Sequence, residues 1–308
     1  MSWSEDSLHR WLARRPRPSR LAGSAMHDAA VLHPPGGRLV ACADQAIEGQ
    51  HAEEGVAAAA LARKCVLRAL SDLAATCAEP HAVLLCVQAP RTRSETELRR
   101  AIDAASKAAA RHGAQLVGGD LSLTEGPLSF AATALGGWRG ARSVGRDRAR
   151  AGDELWVSGP LGGSILGRHL RPRPRFDAAR AFVDHGARVL MDVSDGLLLD
   201  VGRIARASGA RLRIELARVP VHRDARRLSA RDGMPPLEHA LRDGEDHELL
   251  ACLSRADARR LVASGAAARL GLARIGSVVA GAGVVLARHD GGVEPPVGAG
   301  GWIHGAQG

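Results

Sequence analysis

Met191-Asp192-Val193-Ser194-Asp195-Gly196-Leu197-Leu198-Leu199-Asp200 joins two kinds of apolar pattern. Before it, Ala187, Val189 and Leu190 form a short run that reads as a buried strand. After it, Leu197, Leu198, Val201 and Ile204 recur at helical spacing. Two carboxylates and a hydroxyl (Asp192, Asp195 and Ser194) therefore stand where a strand turns into a helix, and Gly196 permits the tight turn. One reading is that Ser194 or Asp195 only caps the helix. The other is that the junction offers polar groups to a ligand, and acidic junctions elsewhere in the chain favour it.

The chain of 308 residues is long enough for about two domains. Its 45% hydrophobic content includes no apolar run long enough to span a bilayer. The start, Met1-Ser2-Trp3-Ser4-Glu5-Asp6, is polar and acidic, unlike a secretory leader. The 5 cysteines, Cys42, Cys65, Cys77, Cys86 and Cys252, contain no CxxC pair. They read as reduced thiols of a cytoplasmic protein, not as a disulfide framework or a zinc site.

A net charge of +9 raises the question of nucleic acid. Nearly all of the basic charge is arginine, because Lys64 and Lys107 are the only lysines. The arginines are scattered, except at Arg14-Arg15-Pro16-Arg17 and from Arg168 to Arg175, and tyrosine is absent. Without interleaved stacking aromatics, specific nucleic-acid binding is the weaker reading. An anionic small molecule suits the charge as well.

In chain order, Ser7 to Arg15 suggests a short helix stopped by Pro16 and Pro18. Asp28 to Leu32 and Arg38 to Asp44 suggest a hairpin with a carboxylate at each outer end. Gly55 to Leu73 is helical, with Leu61, Cys65, Leu67 and Leu70 on one face, and ends in Leu70-Ser71-Asp72-Leu73. Ala82 to Val87 is a buried strand and Glu95 to His112 a helix. Leu116-Val117-Gly118-Gly119-Asp120 follows, paired glycines that let a ligand approach the backbone beside a carboxylate. Leu128 to Leu135 is a further strand, and Gly136 to Arg150 turns abruptly to Gly and Arg, as a connection would. The expected domains are 1–137 and 153–308, joined by a linker at 138–152.

The second half opens with a strand at Asp153 to Ser158 and the turn Gly159-Pro160-Leu161-Gly162-Gly163-Ser164. It lacks the Lys-Ser/Thr of a Walker loop, and no G-x-G-x-x-G follows a strand. Strands at Arg211 to Leu216, Leu249 to Leu253, near Ala273 and near Gly283 join helices at Ala225 to Arg231 and Arg255 to Ser264. This is a mixed α+β half.

Asp28, Asp44, Asp72, Asp120, Asp192 and Asp195 each read as closing an apolar element. Clustered carboxylates without Cys or His partners suit a hard, oxygen-preferring ion such as Mg²⁺. Clustered Mg²⁺ suits phosphates, and so phosphoryl transfer.

Leu116–Asp120, Met191–Leu197 and Asp243-Gly244-Glu245-Asp246-His247-Glu248-Leu249 resemble segments of thiamine-monophosphate kinases. Leu70–Ala75, Glu48-Gly49-Gln50-His51 and Gly301-Trp302 do so too, in the same order. That family lies in the aminoimidazole-ribonucleotide synthetase superfamily. The resemblance implies an α/β N-terminal domain whose mixed sheet forms a barrel with a second copy, plus an α+β C-terminal domain. It implies several Mg²⁺ ions on the six aspartates, and ATP held by Gly119, Asp120, Arg146 and Ser194. His51, Glu245 and Trp302 would contact thiamine monophosphate. The acceptor phosphate is already ionised, so positioning and charge neutralisation replace a general base.

This chain departs from the family pattern at several positions. Met26-His27-Asp28 stands where the family has Gly-Asp-Asp, and Cys42-Ala43-Asp44 where it has Ser-Thr-Asp. Ala69 replaces an Asn, Ala52 an aromatic residue, His247 a tyrosine and Asp103 an adenine-side tyrosine. Two alternatives follow: a catalytically impaired relative that binds a nucleotide or phosphorylated ligand, or a kinase for another phosphorylated small molecule. The apolar strands between Arg38 and Val87 have too few flanking elements to cover them, which implies a homodimer. Asp28, Asp44 and Asp72 are then expected near a cleft between the halves.

Overall fold

Exposure alternates residue by residue from Leu39 to Ala46 along one ten-residue strand, β1 (Arg38–Ile47), whose open-side positions are exposed and whose other side is covered. In this computed structural model the described residues are 11–12, 14–16, 18–20, 32–34, 36–138, 144–288 and 290–296. They fall into two units, one drawn from Met1–Leu73 with Ala78–Gly140, the other from Ala74–Cys77 with Ala141–Gly308.

In the first unit β1 is followed by α1 (Ala58–Ala75), β2 (Glu79–Pro90), α2 (Glu95–Arg111), β3 (Gln115–Thr124) and β4 (Ser129–Trp138). The sheet order is β1-β4-β2-β3. Strands β1/β4 and β4/β2 are antiparallel, whereas β2/β3 run parallel across the α2 crossover, so the sheet is mixed. A capping box starts α2: Ser94 accepts from the Glu97 N–H, and the Glu97 carboxylate accepts from the Ser94 N–H. Leu98, Ala101, Ile102, Ala105 and Ala109 then bury one helical face. Against the sheet, Leu61, Cys65, Leu70 and Leu73 of α1 are fully buried, as are Ala132 and Ala134 of β4.

The first strand of the expected hairpin, apart from Leu32, lies outside the described residues. Asp28 lies outside the described residues, as do His27 and most of the segment Ser7 to Arg15. Asp44 sits inside β1, opposite Ala132, and not at its end. Likewise Gly118, Gly119 and Asp120 continue β3, opposite Leu84, Leu85 and Cys86. Gly119 is there because β3 presses on its neighbour: with φ at +155°, a Cβ would lie 1.8 Å from the Leu85 carbonyl oxygen. Its role in the strand is close approach of backbones. β4 also runs through Gly136 and Gly137, which composition assigns to the connection.

The second unit is built on a seven-stranded sheet in the order β11-β10-β7-β9-β5-β8-β6. Its strands are β5 (Asp153–Val157), β6 (Val189–Asp192), β7 (Arg211–Glu215), β8 (Leu249–Ser254), β9 (Ala273–Val279), β10 (Gly283–Ala287) and β11 (Val293–Glu294). Its helices are α3 (Phe176–Asp184), α4 (Leu197–Ser208), α5 (Arg223–Asp232), α6 (Pro236–Arg242), α7 (Arg255–Ala263) and α8 (Ala266–Leu270). All pairs are antiparallel except β7/β10. The apolar run in β8 serves both faces: Leu250 and Cys252 join the core under α4, while Leu249, Ala251 and Leu253 join the core with Phe182 and Leu261. This continuous burial explains why Leu249 to Leu253 does not alternate. Among the described residues, no helix is long and apolar enough to cross a membrane.

Candidate active site

The junction quoted at the outset takes the expected strand–turn–helix form, with Asp192 ending β6 and Gly196 capping α4 at φ +108°. A Cβ on Gly196 would lie 2.7 Å from the Arg242 carbonyl oxygen. Neither Ser194 nor Asp195 is the N-cap, and Gly196 offers no side chain to do it. Instead Asp200 reaches back from the first turn of α4, and its Oδ2 accepts from the N–H groups of Ser194 and Asp195, each at 3.0 Å. Arg203 then donates to Asp200 Oδ1 at 2.6 Å and lies 2.5 Å from Asp195 Oδ2. Burial pushes the Asp200 carboxyl up to about 6, against the pull of the Asp195 N–H and Arg203; Asp192 and Asp195 push the same way.

The segment Asp243–Glu248 is zipped to this turn by backbone bonds. Glu245 N donates to Ser194 O at 2.7 Å, His247 N to Val193 O at 2.8 Å, and Val193 N to Glu248 O at 2.7 Å. The register forces Glu245 and His247 into positive φ, 59° and 53°. Non-glycine residues adopt this at a cost, and such strain gathers at functional sites. His247 is buried, with Nδ1 3.3 Å from Asp192 Oδ2. The same segment holds the glycine-rich turn. Asp246 Oδ2 accepts from Gly162 N at 2.8 Å, Asp243 Oδ2 accepts from Gly163 N at 2.7 Å, and Ser164 Oγ donates to Gly244 O at 2.6 Å. Arg168 pairs with Asp246 at 2.8 Å, and burial still pushes that carboxyl up to about 7.

In the first unit, His51 follows β1, and its Nδ1 accepts from Ile47 N at 3.1 Å. The buried Lys64 of α1 donates to the His51 carbonyl oxygen. Four residues on, Arg68 Nε lies 2.8 Å from Asp44 Oδ2. Asp72 is half-buried near the C-terminal end of α1, and Asp120 is exposed on β3.

Among the described residues, no group of three or more His, Cys, Asp or Glu is gathered closely enough to hold a metal ion by protein ligands alone. The donor chemistry at Asp192, Asp195 and Asp120 nonetheless fits Mg²⁺, which binds through one or two carboxylates and completes its shell with water and phosphate. Asp44 fits less well than Asp195, because Arg68 and the Gln45 N–H engage both of its oxygens, whereas Arg203 lies on Oδ2 of Asp195.

The backbone of Arg146 is anchored at the opposite end of α4 from Ser194. Its carbonyl oxygen accepts from Ser208 Oγ at 2.9 Å, at the far end of the 12-residue α4. That separates the two ATP candidates by about 18 Å along the helix axis. Trp302 lies outside the described residues.

The departures from the expected pattern have new partners. Asp103 pairs with Arg15, whose guanidinium lies 4.8 Å from the Trp11 ring centroid. Cys42 Sγ donates to Ala69 O at 3.1 Å, joining two substituted positions. Sequence reading missed Asp200, Arg203, Arg168 and Asp246 as the groups that fix the junction. Only the position of Asp200 at the end of the quoted stretch hinted at this.

The chain matches the family described as AIR synthase related protein, its N-terminal domain over residues 26–138 and its C-terminal domain over residues 142–288. Thiamine-monophosphate kinase of Rhodopirellula baltica is 37% identical over 241 residues, 75% of this chain and 76% of that protein. The crystal structure of thiamine-monophosphate kinase from Stenotrophomonas maltophilia K279a is 31% identical with a TM-score of 0.78, covering 94% of this chain and 98% of that one. AaThiL, solved complexed with AMPPCP and TMP, is 27% identical with a TM-score of 0.76, over 86% of this chain and 87% of that one.

Proposed function

Because the chain belongs to the thiamine-monophosphate kinase family, we propose that it transfers the γ-phosphoryl group of ATP to thiamine monophosphate, giving thiamine diphosphate. The observation that carries this reading is the locked turn from Val193 to Gly196. Asp200 occupies its backbone N–H groups, Arg203 pins Asp195, and His247 braces Asp192. A turn held this way keeps carboxylates in place before any ligand arrives, which is the preorganisation phosphoryl transfer needs.

Asp72, Asp120, Asp192 and Asp195, with Asp28, are the carboxylates proposed to hold Mg²⁺. When bound, Mg²⁺ neutralises charge on the β- and γ-phosphates. Gly119, Asp120, Arg146 and Ser194 are proposed for ATP, and His51, Glu245 and Trp302 for thiamine monophosphate. The acceptor is a phosphate oxygen already ionised near neutral pH, so no side chain has to remove its proton. The work left to the protein is to align that oxygen with the γ-phosphorus and keep water out. The fixed geometry of His51, set by Ile47 N and the Lys64 contact, supports its role in placing the acceptor.

The proposal extends to assembly and location. Leu39, Ala41, Ala43 and Gln45 of β1 are exposed along one side of the strand, and Cys86 of β2, in register with Gln45 through Ala131 of β4, is exposed on the same face. A second copy laid on this sheet would cover them, which supports a homodimer closed through the N-terminal sheets as a barrel. The setting proposed is cytoplasmic, where the five cysteines stay reduced.

The deciding experiment incubates purified protein with ATP, Mg²⁺ and thiamine monophosphate and follows thiamine diphosphate by coupled assay. Formation that depends on all three supports the kinase. ATP binding by calorimetry without product would overturn it in favour of a non-catalytic relative, and turnover only with another phosphorylated acceptor would move the substrate.

A further inference from the structure

We infer that Arg68 occupies the cation position at Asp44, so that Asp44 is neutralised from within the chain and is not a ligand for Mg²⁺. This inference rests on the Mg²⁺-dependent kinase reading and concerns how its charge is balanced. Both oxygens of the Asp44 carboxylate are engaged. Oδ2 lies 2.8 Å from Arg68 Nε, and Oδ1 accepts from Gln45 N at 2.7 Å. The pair is largely sheltered, with side-chain exposures of 14% for Arg68 and 22% for Asp44. Screening by solvent is therefore weaker than for a surface pair.

The surroundings are wrong for a hard cation. On the same side of β1 and on α1 the neighbouring positions are Cys42, Cys65 and Ala69, two thiols and a methyl group, with Asp72 one helical turn beyond Arg68. Cys42 turns its Sγ to Ala69 O, and Cys65 Sγ lies 3.6 Å from Asp44 O and 3.3 Å from Phe130 O. Mg²⁺ prefers an octahedron of oxygens and dehydrates reluctantly, so thiols and methyls offer it little. Arginine suits the substitution because it keeps its charge at any pH and holds its donors in a rigid plane.

The arrangement has a second effect on the same strand. Lys64 and Arg68 are one helical turn apart on α1. Lys64 donates to His51 O and Arg68 holds Asp44, so two cations of one helix grip β1 and the turn that follows it.

Mn²⁺ is the probe, used in place of Mg²⁺ because free and bound ion are separated by electron paramagnetic resonance. Binding is titrated on wild-type protein, Asp44→Asn, Arg68→Met and Asp120→Asn, with Arg68→Gln as a second substitution should Arg68→Met fail to fold. Circular dichroism confirms the fold of each. The inference expects Asp44→Asn to bind Mn²⁺ within about twofold of wild type, while Asp120→Asn weakens it at least tenfold. It expects Arg68→Met or Arg68→Gln to bind more Mn²⁺ per chain, because the Asp44 carboxylate is released. Equal losses in Asp44→Asn and Asp120→Asn overturn it, as does unchanged binding in both Arg68 variants. Thiamine diphosphate formation by the same wild-type sample is measured in parallel. Its absence would refute the kinase reading without altering the Mn²⁺ comparison.

Discussion

His247 and Asp192 form a buried pair, Nδ1 to Oδ2 at 3.3 Å, in which the histidine sits in the left-handed region of backbone space. The contact runs through Nδ1, and its geometry makes a specific demand on replacements. Asparagine places an amide N–H near the Nδ1 position, whereas glutamine places one near Nε2 and tyrosine reaches past the carboxylate.

His247→Asn is therefore expected to keep activity within about threefold, helped by the tolerance of Asn for positive φ. His247→Gln should weaken apparent Mg²⁺ affinity about tenfold, the scale of one lost bond to a buried charge. The readout is the Mg²⁺ dependence of kcat/KM, with thermal melting as the control. Equal behaviour of the two variants would reject the Nδ1 contact as the reason for histidine.

Asp200→Ala removes one carboxylate that serves two backbone N–H groups and Arg203. The expected loss is about 2–4 kcal/mol of stability, chiefly from the two stranded backbone donors, since Arg203 keeps its contact with Asp195. Thiamine diphosphate formation should fall further than stability alone explains, because the turn carrying Ser194 and Asp195 loosens. Urea unfolding beside the coupled assay, at a temperature where the variant is still folded, checks both.

The quoted stretch carried its own secondary structure, because a short apolar run, Gly196 and a helical repeat are all local signals. Leu249 to Leu253 was legible for the same reason. The placement of Asp44 was not. Alanine is nearly neutral between strand face and helix face, so Ala41, Ala43 and Ala46 do not mark where β1 continues past Asp44. Asp120 was misplaced because paired glycines read as a strand end, while the true constraint, the Leu85 carbonyl, lies on another strand. Helix α3 was missed behind the Arg168 to Arg175 run. Nothing local could show that Arg68, 24 residues away, would meet Asp44. Roles fixed by tertiary partners, such as those of Asp200, Asp243 and Asp246, are invisible to spacing.

Gly119→Ala tests the backbone approach in β3. The added Cβ would fall 1.8 Å from Leu85 O at a φ that alanine rarely adopts. Neither the strand nor its partner can yield without breaking the parallel pairing. A loss of more than about 4 kcal/mol is expected, placing the substitution among the rare severe ones. Gly126→Ala, where a Cβ would lie 3.4 Å from Thr124 Oγ1, serves as the mild comparison. Similar melting temperatures for the two would contradict the strand packing.

Asp246 gives stability a pH dependence of defined sign. Its carboxyl is raised from 3.8 to about 7, chiefly by burial, despite Arg168 and the Gly162 N–H. The folded chain thus holds this proton more tightly than the unfolded chain. Stability from this group is present below the unfolded value and declines as pH rises from about 4 to 7. Asp246→Asn cannot titrate, so its stability relative to wild type should climb across that window. Chemical denaturation of both proteins at pH 5 and pH 7 measures the difference, and a gap that is constant or shrinks with pH contradicts the assignment.

Cys86 reports on the proposed dimer. It is the exposed cysteine of the five, set in β2 opposite Ala131 of β4 and Asp120 of β3. Cys65 is buried, and its thiol is pushed up to about 12 mainly by burial, with Asp44 adding to it, so it stays protonated and inert. Labelling by a maleimide in the folded state should therefore centre on Cys86. If two N-terminal sheets close on each other, labelling is slow at tens of micromolar and quickens on dilution, as the population of single chains rises. Kinase activity per chain and melting temperature should fall over the same dilution range. Cys86 labelling that is fast and independent of concentration, together with a compact monomer in sedimentation at micromolar protein, would rule the closed dimer out.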